Sequence, residues 1–170
     1  PVFICGHYRS GTSLLHHLLD GHSKIVSAGI ETNFFTVFKP KISTLGVNEA
    51  LRISLLRVIE SNDQALLNKH LPGIDIEKFR LVFNEFDKNE NNVYSFLEAY
   101  VQAHAKATNQ TSSEKLFWIE KTPLNELFIQ DILKKWPHAK FIHMIRDPRD
   151  VHASIRKRSD FPLKVRTTYH

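Results

Sequence analysis

Three times in this chain a short apolar run stops at a turn or capping signature and passes directly into a helical pattern. No other feature limits the fold as much. Val2-Phe3-Ile4-Cys5 ends at Gly6 and leads through a loop to a helix that closes near Gly21, with Leu14, Leu15, Leu18 and Leu19 expected on its inward face. Leu116-Phe117-Trp118-Ile119 runs into Glu120-Lys121-Thr122-Pro123, where Thr122 suits an N-cap and Pro123 a first helical position. Leu124, Leu127, Phe128, Ile132 and Leu133 then form an inward stripe that ends by Trp136-Pro137. Phe141-Ile142-His143-Met144-Ile145 is followed by Asp147-Pro148, the same cap and proline, and by a basic helix reaching about Arg158. A strand whose chain leaves as a helix rejoins the sheet by a crossover, so its neighbours run parallel to it. With Ile25-Val26 as a further strand, the pattern predicts an α/β fold: a three-layer parallel sheet with crossover helices.

From about residue 33 to 113 the apolar period turns helical, which predicts a helical insertion. Its stripes are Leu51, Leu55, Val58 and Ile59, then Phe79, Val82, Phe83 and Phe86, then Val93, Phe96, Leu97, Tyr100 and Val101. Leu71-Pro72-Gly73 and residues 109–113 break them. Helical spacing makes these aromatics core residues rather than a cofactor box. No internal repeat or linker divides the 170 residues, so residues 1–170 read as one domain. Met144 is the only methionine, so Pro1 is not a natural start, and the chain is expected to be a piece of something longer.

Composition excludes several classes. With 42% apolar and 24% charged residues the chain can bury a core, and no apolar run exceeds four residues, so none can span a bilayer. A single cysteine, Cys5, allows neither an internal disulfide framework nor a multi-cysteine metal site. It points to a reducing, cytoplasmic location, with the Golgi lumen as the alternative if a membrane anchor has been removed. The sequon Asn109-Gln110-Thr111 matters only in a secreted protein. His16 and His17 are adjacent on a helix and point apart, and the ten histidines show no metal-binding spacing, so no metal is expected. The net charge of +5 is local: residues 134–166 hold ten Lys and Arg against three acids. That end either meets an anionic partner or is a solvated basic face. It carries no nucleic-acid recognition module, and no nucleic acid is expected.

The loop Gly6-His7-Tyr8-Arg9-Ser10-Gly11-Thr12-Ser13 sits between strand and helix. Two glycines five apart and hydroxyl residues at the helix start make a nest of backbone N–H groups, and the helix dipole adds positive potential, so a phosphate fits there. The spacing is that of the P-loop G-x-x-x-x-G-K-[ST], with one departure: Thr12 stands where the lysine belongs. An ATP-using enzyme needs that lysine on the β- and γ-phosphates. Here the cation is Arg9, inside the loop. A purely structural glycine turn is the alternative.

Arg9-Ser10-Gly11-Thr12-Ser13 with Leu14-Leu15 resembles the 5′-phosphosulfate loop of sulfotransferases that use 3′-phosphoadenosine 5′-phosphosulfate (PAPS). It is nearest to the Golgi and bacterial branch with a carboxylate base, which includes the protein-tyrosine enzymes. Two further segments extend the likeness. Arg146, Ser154 eight residues on and Arg158 four beyond resemble the family's 3′-phosphate motif, and Ser154 and Arg158 share one helical face. Trp118-Ile119-Glu120-Lys121-Thr122-Pro123-Leu124-Asn125 resembles its third block. The resemblance implies a P-loop-like fold, PAPS as donor with 3′-phosphoadenosine 5′-phosphate (PAP) as product, and no metal. It implies that Arg9, Ser10, Gly11, Thr12 and Ser13 hold the 5′-phosphosulfate, and that Arg146, Ser154 and Arg158 hold the 3′-phosphate. It gives Lys121 and Arg9 the charge on the leaving phosphate. Glu31, in Glu31-Thr32, resembles the catalytic base of the protein-tyrosine branch at a spacing one residue longer, and His7 is the reserve base.

Each assignment has a plainer counterpart: Arg146 paired to Asp147 or Asp150, Lys121 paired to Glu120 or exposed, and Glu31 as an acid near a helix start. The function expected is sulfuryl transfer to an acceptor hydroxyl or amine on a glycan, tyrosyl peptide, lipid or small molecule. The alternatives are an ATP- and Mg²⁺-dependent phosphotransferase and a non-catalytic nucleotide-binding fragment. Family members continue past the 3′-phosphate helix, so a single domain truncated at its C-terminus is expected. No motif sets the acceptor or the oligomeric state.

Overall fold

The computed structural model describes residues 1–29, 31–39, 75, 77–79, 81, 93–110 and 116–157. The stripe at 51–59, the break at 71–73, Val82, Phe83, Phe86 and residues 111–113 lie outside them. Four strands, β1 (Val2–Gly6), β2 (Ile25–Ser27), β3 (Phe117–Lys121) and β4 (Lys140–Met144), form a sheet in the order β2-β3-β1-β4. Every pairing is parallel, with Ile4 beside Lys121 and Ile142, Gly6 beside Met144, and Ser27 beside Ile119. Helices among the described residues include α1 (Thr12–Leu19), α2 (Val93–Ala107), α3 (Ile129–Lys135) and α4 (Pro148–Arg156). A π-helical turn spans Phe34–Phe38, and a 3-10 turn, Asn125–Phe128, precedes α3. This is the expected parallel α/β architecture, consistent with a P-loop-like fold.

Strand alternation divides the sheet into two faces. Phe3, Val26, Trp118, Glu120 and Phe141 share one, by register. There Phe3 is fully buried, with ring contacts to Phe35, Trp118, Trp136 and Phe141. Leu97 and Tyr100 of α2 and Ile132 of α3 complete that core. Ile4, Ser27, Ile119 and Lys121 occupy the other face, where α1 lies, bonded through His16 to Ser27 and through Ser13 to Lys121. The carboxyl ends of β1, β3 and β4 therefore open at one edge of the sheet, where α/β proteins bind ligands.

Two helix readings need correction. In α1, Leu14 and Leu18 are exposed, while Thr12 and His16 are buried. The helix turns its 12–16 row to the sheet, where His16 Nε2 lies 2.8 Å from Ser27 Oγ in a buried hydrogen bond, and Leu15 and Leu19 are only partly buried. After β3 the chain does not start a helix at Pro123. Leu124 takes a left-handed conformation (φ 70°), and α3 begins only at Ile129. The Thr122 hydroxyl is not an N-cap, because it donates to Glu120 Oε1 (2.6 Å) and accepts from the Asn33 N–H (3.1 Å). Leu127 and Leu133 consequently face outward, while Ile132 is fully buried. The Asp147 cap is present: its carboxylate accepts from the Arg149 N–H at 2.9 Å, with Pro148 in the first turn.

Candidate functional site

The loop after β1 is shaped by positive backbone angles at Gly6 (φ 136°), Arg9 (φ 68°) and Gly11 (φ 102°). Glycine is required at position 6, where a Cβ would stand 2.6 Å from the Met144 carbonyl oxygen and 2.9 Å from Ser10 Oγ. Ser10 tightens the turn, donating from both its N–H (3.1 Å) and its hydroxyl (2.6 Å) to the His7 carbonyl. The first bond of α1 runs from Leu15 N–H to Gly11 O, and Gly11 supplies no side-chain cap. The leading amides of α1 thus point back toward the loop, an arrangement able to receive an anion.

Arg9 Nε donates to Ser154 Oγ at 2.8 Å, spanning from the loop to α4. Arg146, two residues past β4, donates from Nη1 to the Arg9 carbonyl at 3.2 Å. Its Nε also lies 3.9 Å from Asp150, an exposed pair that leaves the guanidinium at the mouth of the loop. Three residues distant in sequence meet at one point. Arg158 lies outside the described residues.

On the β3 side, Lys121 is buried, and its Nζ donates to Ser13 Oγ (3.1 Å) and to Glu31 Oε1 (2.5 Å). It is paired with neither Glu120 nor solvent. Glu120 points to the opposite face, fully buried, and accepts from the Thr32 hydroxyl (2.7 Å), the Thr32 N–H (3.4 Å), Thr122 and the Asn125 amide. Burial pushes its carboxyl above the ordinary range, and the bonds from Thr122, Thr32 and Asn125 oppose that rise. An acid closing an apolar strand was the sequence signal for this cluster, but which face it takes is a matter of register.

A cavity of about 500 Å³ opens between these groups. Arg9, Thr12, Ser13, Glu31 and Arg146 line its polar side, and Tyr8, Leu14 and Pro123 the rest. Desolvation and the Glu31 charge both push the Tyr8 phenol up. Tyr8 went unremarked in the sequence because no spacing rule marks a phenol inside a phosphate loop. His7 does not line this cavity: its Nδ1 contacts the Tyr8 carbonyl at 2.9 Å, and its ring stands edge-on to Tyr8. Among the described residues no three His, Cys, Asp or Glu side chains could share a metal ion, and no helix is long and apolar enough to cross a membrane. Oriented amides, a guanidinium, an ammonium and hydroxyls, with a carboxylate across from them, suit an anionic ester and a proton-bearing acceptor.

A family model described as "Sulfotransferase family" matches residues 1–168. An "Uncharacterized protein" of Aquifex aeolicus (strain VF5) is 27% identical over 154 residues, which cover 91% of this chain and 16% of that protein. The chain therefore spans about one-sixth of the length of this relative.

Proposed function

Because this chain belongs to the sulfotransferase family, we propose that it moves a sulfuryl group from PAPS to an acceptor hydroxyl or amine. The observation that supports this reading is one cavity lined by Arg9, Arg146, Ser13 and Glu31, with Ser154 bonded to Arg9 and the buried Lys121 bonded to Ser13 and Glu31 behind its wall. The residues fit the donor on chemical grounds. Gly6 and Gly11 take the positive φ angles that shape the loop, and the start of α1, without a side-chain cap, stands behind it. Arg9 and residues 10–13 would hold the 5′-phosphosulfate, and Arg146 and Ser154 the 3′-phosphate, with Arg158 assigned there by resemblance alone.

When bound, the donor supplies an activated sulfuryl group on a phosphate leaving group. Lys121 and Arg9 place fixed positive charge where that phosphate gains negative charge, and no solvent must reorganise to do so. Ser13 and Glu31 hold the Lys121 ammonium from two sides. The Glu31 carboxylate, half-exposed at the cavity wall, takes the proton of the acceptor hydroxyl as its oxygen bonds to sulfur. A phosphotransferase would ask Asp147 to hold a metal. That carboxylate is engaged by the Arg149 side chain and N–H, which hold it below its ordinary range.

Calorimetry with PAP and with ATP·Mg²⁺ tests the reading. Micromolar PAP binding without metal is expected, weakened at least about tenfold, or 1.4 kcal/mol, in Arg146→Ala and Ser154→Ala. ATP·Mg²⁺ binding with no preference for a 3′-phosphate would overturn it.

A further inference from the structure

Glu31 projects from a segment that is not part of the sheet, and its neighbours decide where it stands. Two short stretches about 90 residues apart run side by side: Glu120, Lys121 and Thr122 against Thr32, Glu31 and Asn33. Lys121 pairs with Glu31, Glu120 accepts from Thr32, and Thr122 accepts from the Asn33 N–H. Glu120 joins the outer two contacts, since Thr122 donates to the same Oε1 that receives Thr32. Asn125 donates to Oε2, and the Thr32 hydroxyl in turn accepts from the Phe34 N–H at 3.2 Å. Burying a carboxylate among neutral donors, with the adjacent Lys121 on the other face of the strand, is costly. Packing alone would be served by an apolar residue. What the carboxylate adds is several converging hydrogen bonds that fix one segment against another.

We propose that Glu120 is a positioning residue for the transfer step: by gripping Thr32 and Thr122 beneath the end of β3, it sets where the Glu31 carboxylate stands against Lys121. The proposal rests on the sulfotransferase reading for its catalytic consequence, but not for its structural one. Glu120 touches neither reacting partner and acts only through Glu31. Its removal therefore matters to turnover only while Glu31 is present.

The test uses this chain with Glu120→Leu, Glu120→Gln and Thr32→Val, each alone and combined with Glu31→Gln. The first readout, without nucleotide, is hydrogen exchange at the amides of Thr32, Asn33 and Phe34. Glu120→Leu and Thr32→Val are expected to speed it about tenfold or more, because the bonds that protect the segment are lost. Glu120→Gln, which keeps an acceptor for Thr32 and Thr122, recovers most of the protection. The second readout is the conversion of PAPS and water to PAP and sulfate, with PAP affinity measured alongside. Turnover falls about tenfold in Glu120→Leu with PAP affinity within about twofold of the parent, and the fall disappears in the Glu31→Gln background. Thr32→Val keeps the test decisive if Glu120→Leu does not fold. Unchanged exchange, or an equal fall in turnover without Glu31, overturns the proposal. A parent chain that binds no PAP removes the donor assignment, while the exchange comparison still decides whether Glu120 places residues 31–34.

Discussion

His16 shows how much a single residue's surroundings change its meaning. As one of two adjacent helix histidines it looked unremarkable, yet it is almost fully buried, its Nε2 bonded to Ser27 Oγ. Burial, helped by the nearby Lys121 charge, pulls its imidazole down to about 4 from an ordinary value of 6.5. The folded state therefore resists a proton that the unfolded chain accepts. The stability this neutral histidine contributes is complete above about pH 6.5 and drains away as pH falls through 4. The gap corresponds to up to about 3 kcal/mol. Thermal melts at pH 7 and 5 should show a marked loss of Tm in the parent and a smaller one in His16→Gln; equal losses would place the acid sensitivity elsewhere. His104, also buried and also pulled down by desolvation, adds to the same slope. On the proposed reading, Lys121 carries the catalytic counterpart. In the proposed transfer, Lys121→Met should lower PAPS turnover by about 10²-fold or more and weaken PAP binding as well, since PAP carries the phosphate charge that forms as the sulfuryl group leaves. Arg9, Lys121 and Arg146 stand out through the family resemblance of their segments, which lie at or just after strand ends. The sequence did not display the work of Glu120 or His16, because that depends on which face of the sheet a neighbour from another segment supplies.

Elements were legible where local chemistry and tertiary contacts agree. The strand at residues 2–6, the loop behind it and the Asp147-Pro148 start of α4 follow from propensity and capping alone. Thr122-Pro123 carried the same capping signal and failed, because Glu120 and the Asn33 N–H claim the hydroxyl first. Helix α1 differs on its face: a leucine-rich helix has two candidate rows 100° apart, and leucine spacing does not say that the row with His16, bonded to Ser27, is the one turned inward. One substitution checks this helix and a second the segment after β2. Leu18→Ala, on an exposed residue, should shift stability by no more than about 0.5 kcal/mol by urea denaturation, against the several kcal/mol a core leucine would cost. Gly29→Ala, in the segment leading from β2 to Glu31, should cost about 2 kcal/mol or more. Gly29 has φ 74°, and a Cβ there would stand 2.2 Å from His104 Nε2. A Gly29→Ala protein as stable as the parent would mean that this segment can shift without loss.

For the whole molecule, the decisive fact is that the strand order β2-β3-β1-β4 gathers at one edge groups scattered from Arg9 to Ser154. The parallel direction of the strands follows from their helical crossovers, but their order does not show in hydrophobic pattern, and neither does the pairing of Glu31 with Lys121 across about 90 residues. The same assembly sets the electrostatics. The chain carries a net charge of +5, yet at the site the cations are not alone: Lys121 is neutralised by Glu31, and Arg146 lies near Asp150. Lys121 is buried, so salt barely screens it, whereas the side chains of Arg9 and Arg146 stand toward solvent. PAP binding should therefore weaken with ionic strength through the guanidiniums and not through the lysine. Between about 0.05 and 0.5 M salt, where the screening length falls from roughly 14 to 4 Å, affinity is expected to drop about tenfold. Arg146→Ala should flatten that dependence. Ser154→Ala should weaken binding at every salt concentration by the same factor, because it removes a hydrogen bond and no charge. Calorimetric titrations at four salt concentrations separate the two. Parallel salt slopes for the parent and Arg146→Ala would mean that this arginine holds its place by pairing with Asp150 and does not meet the phosphate.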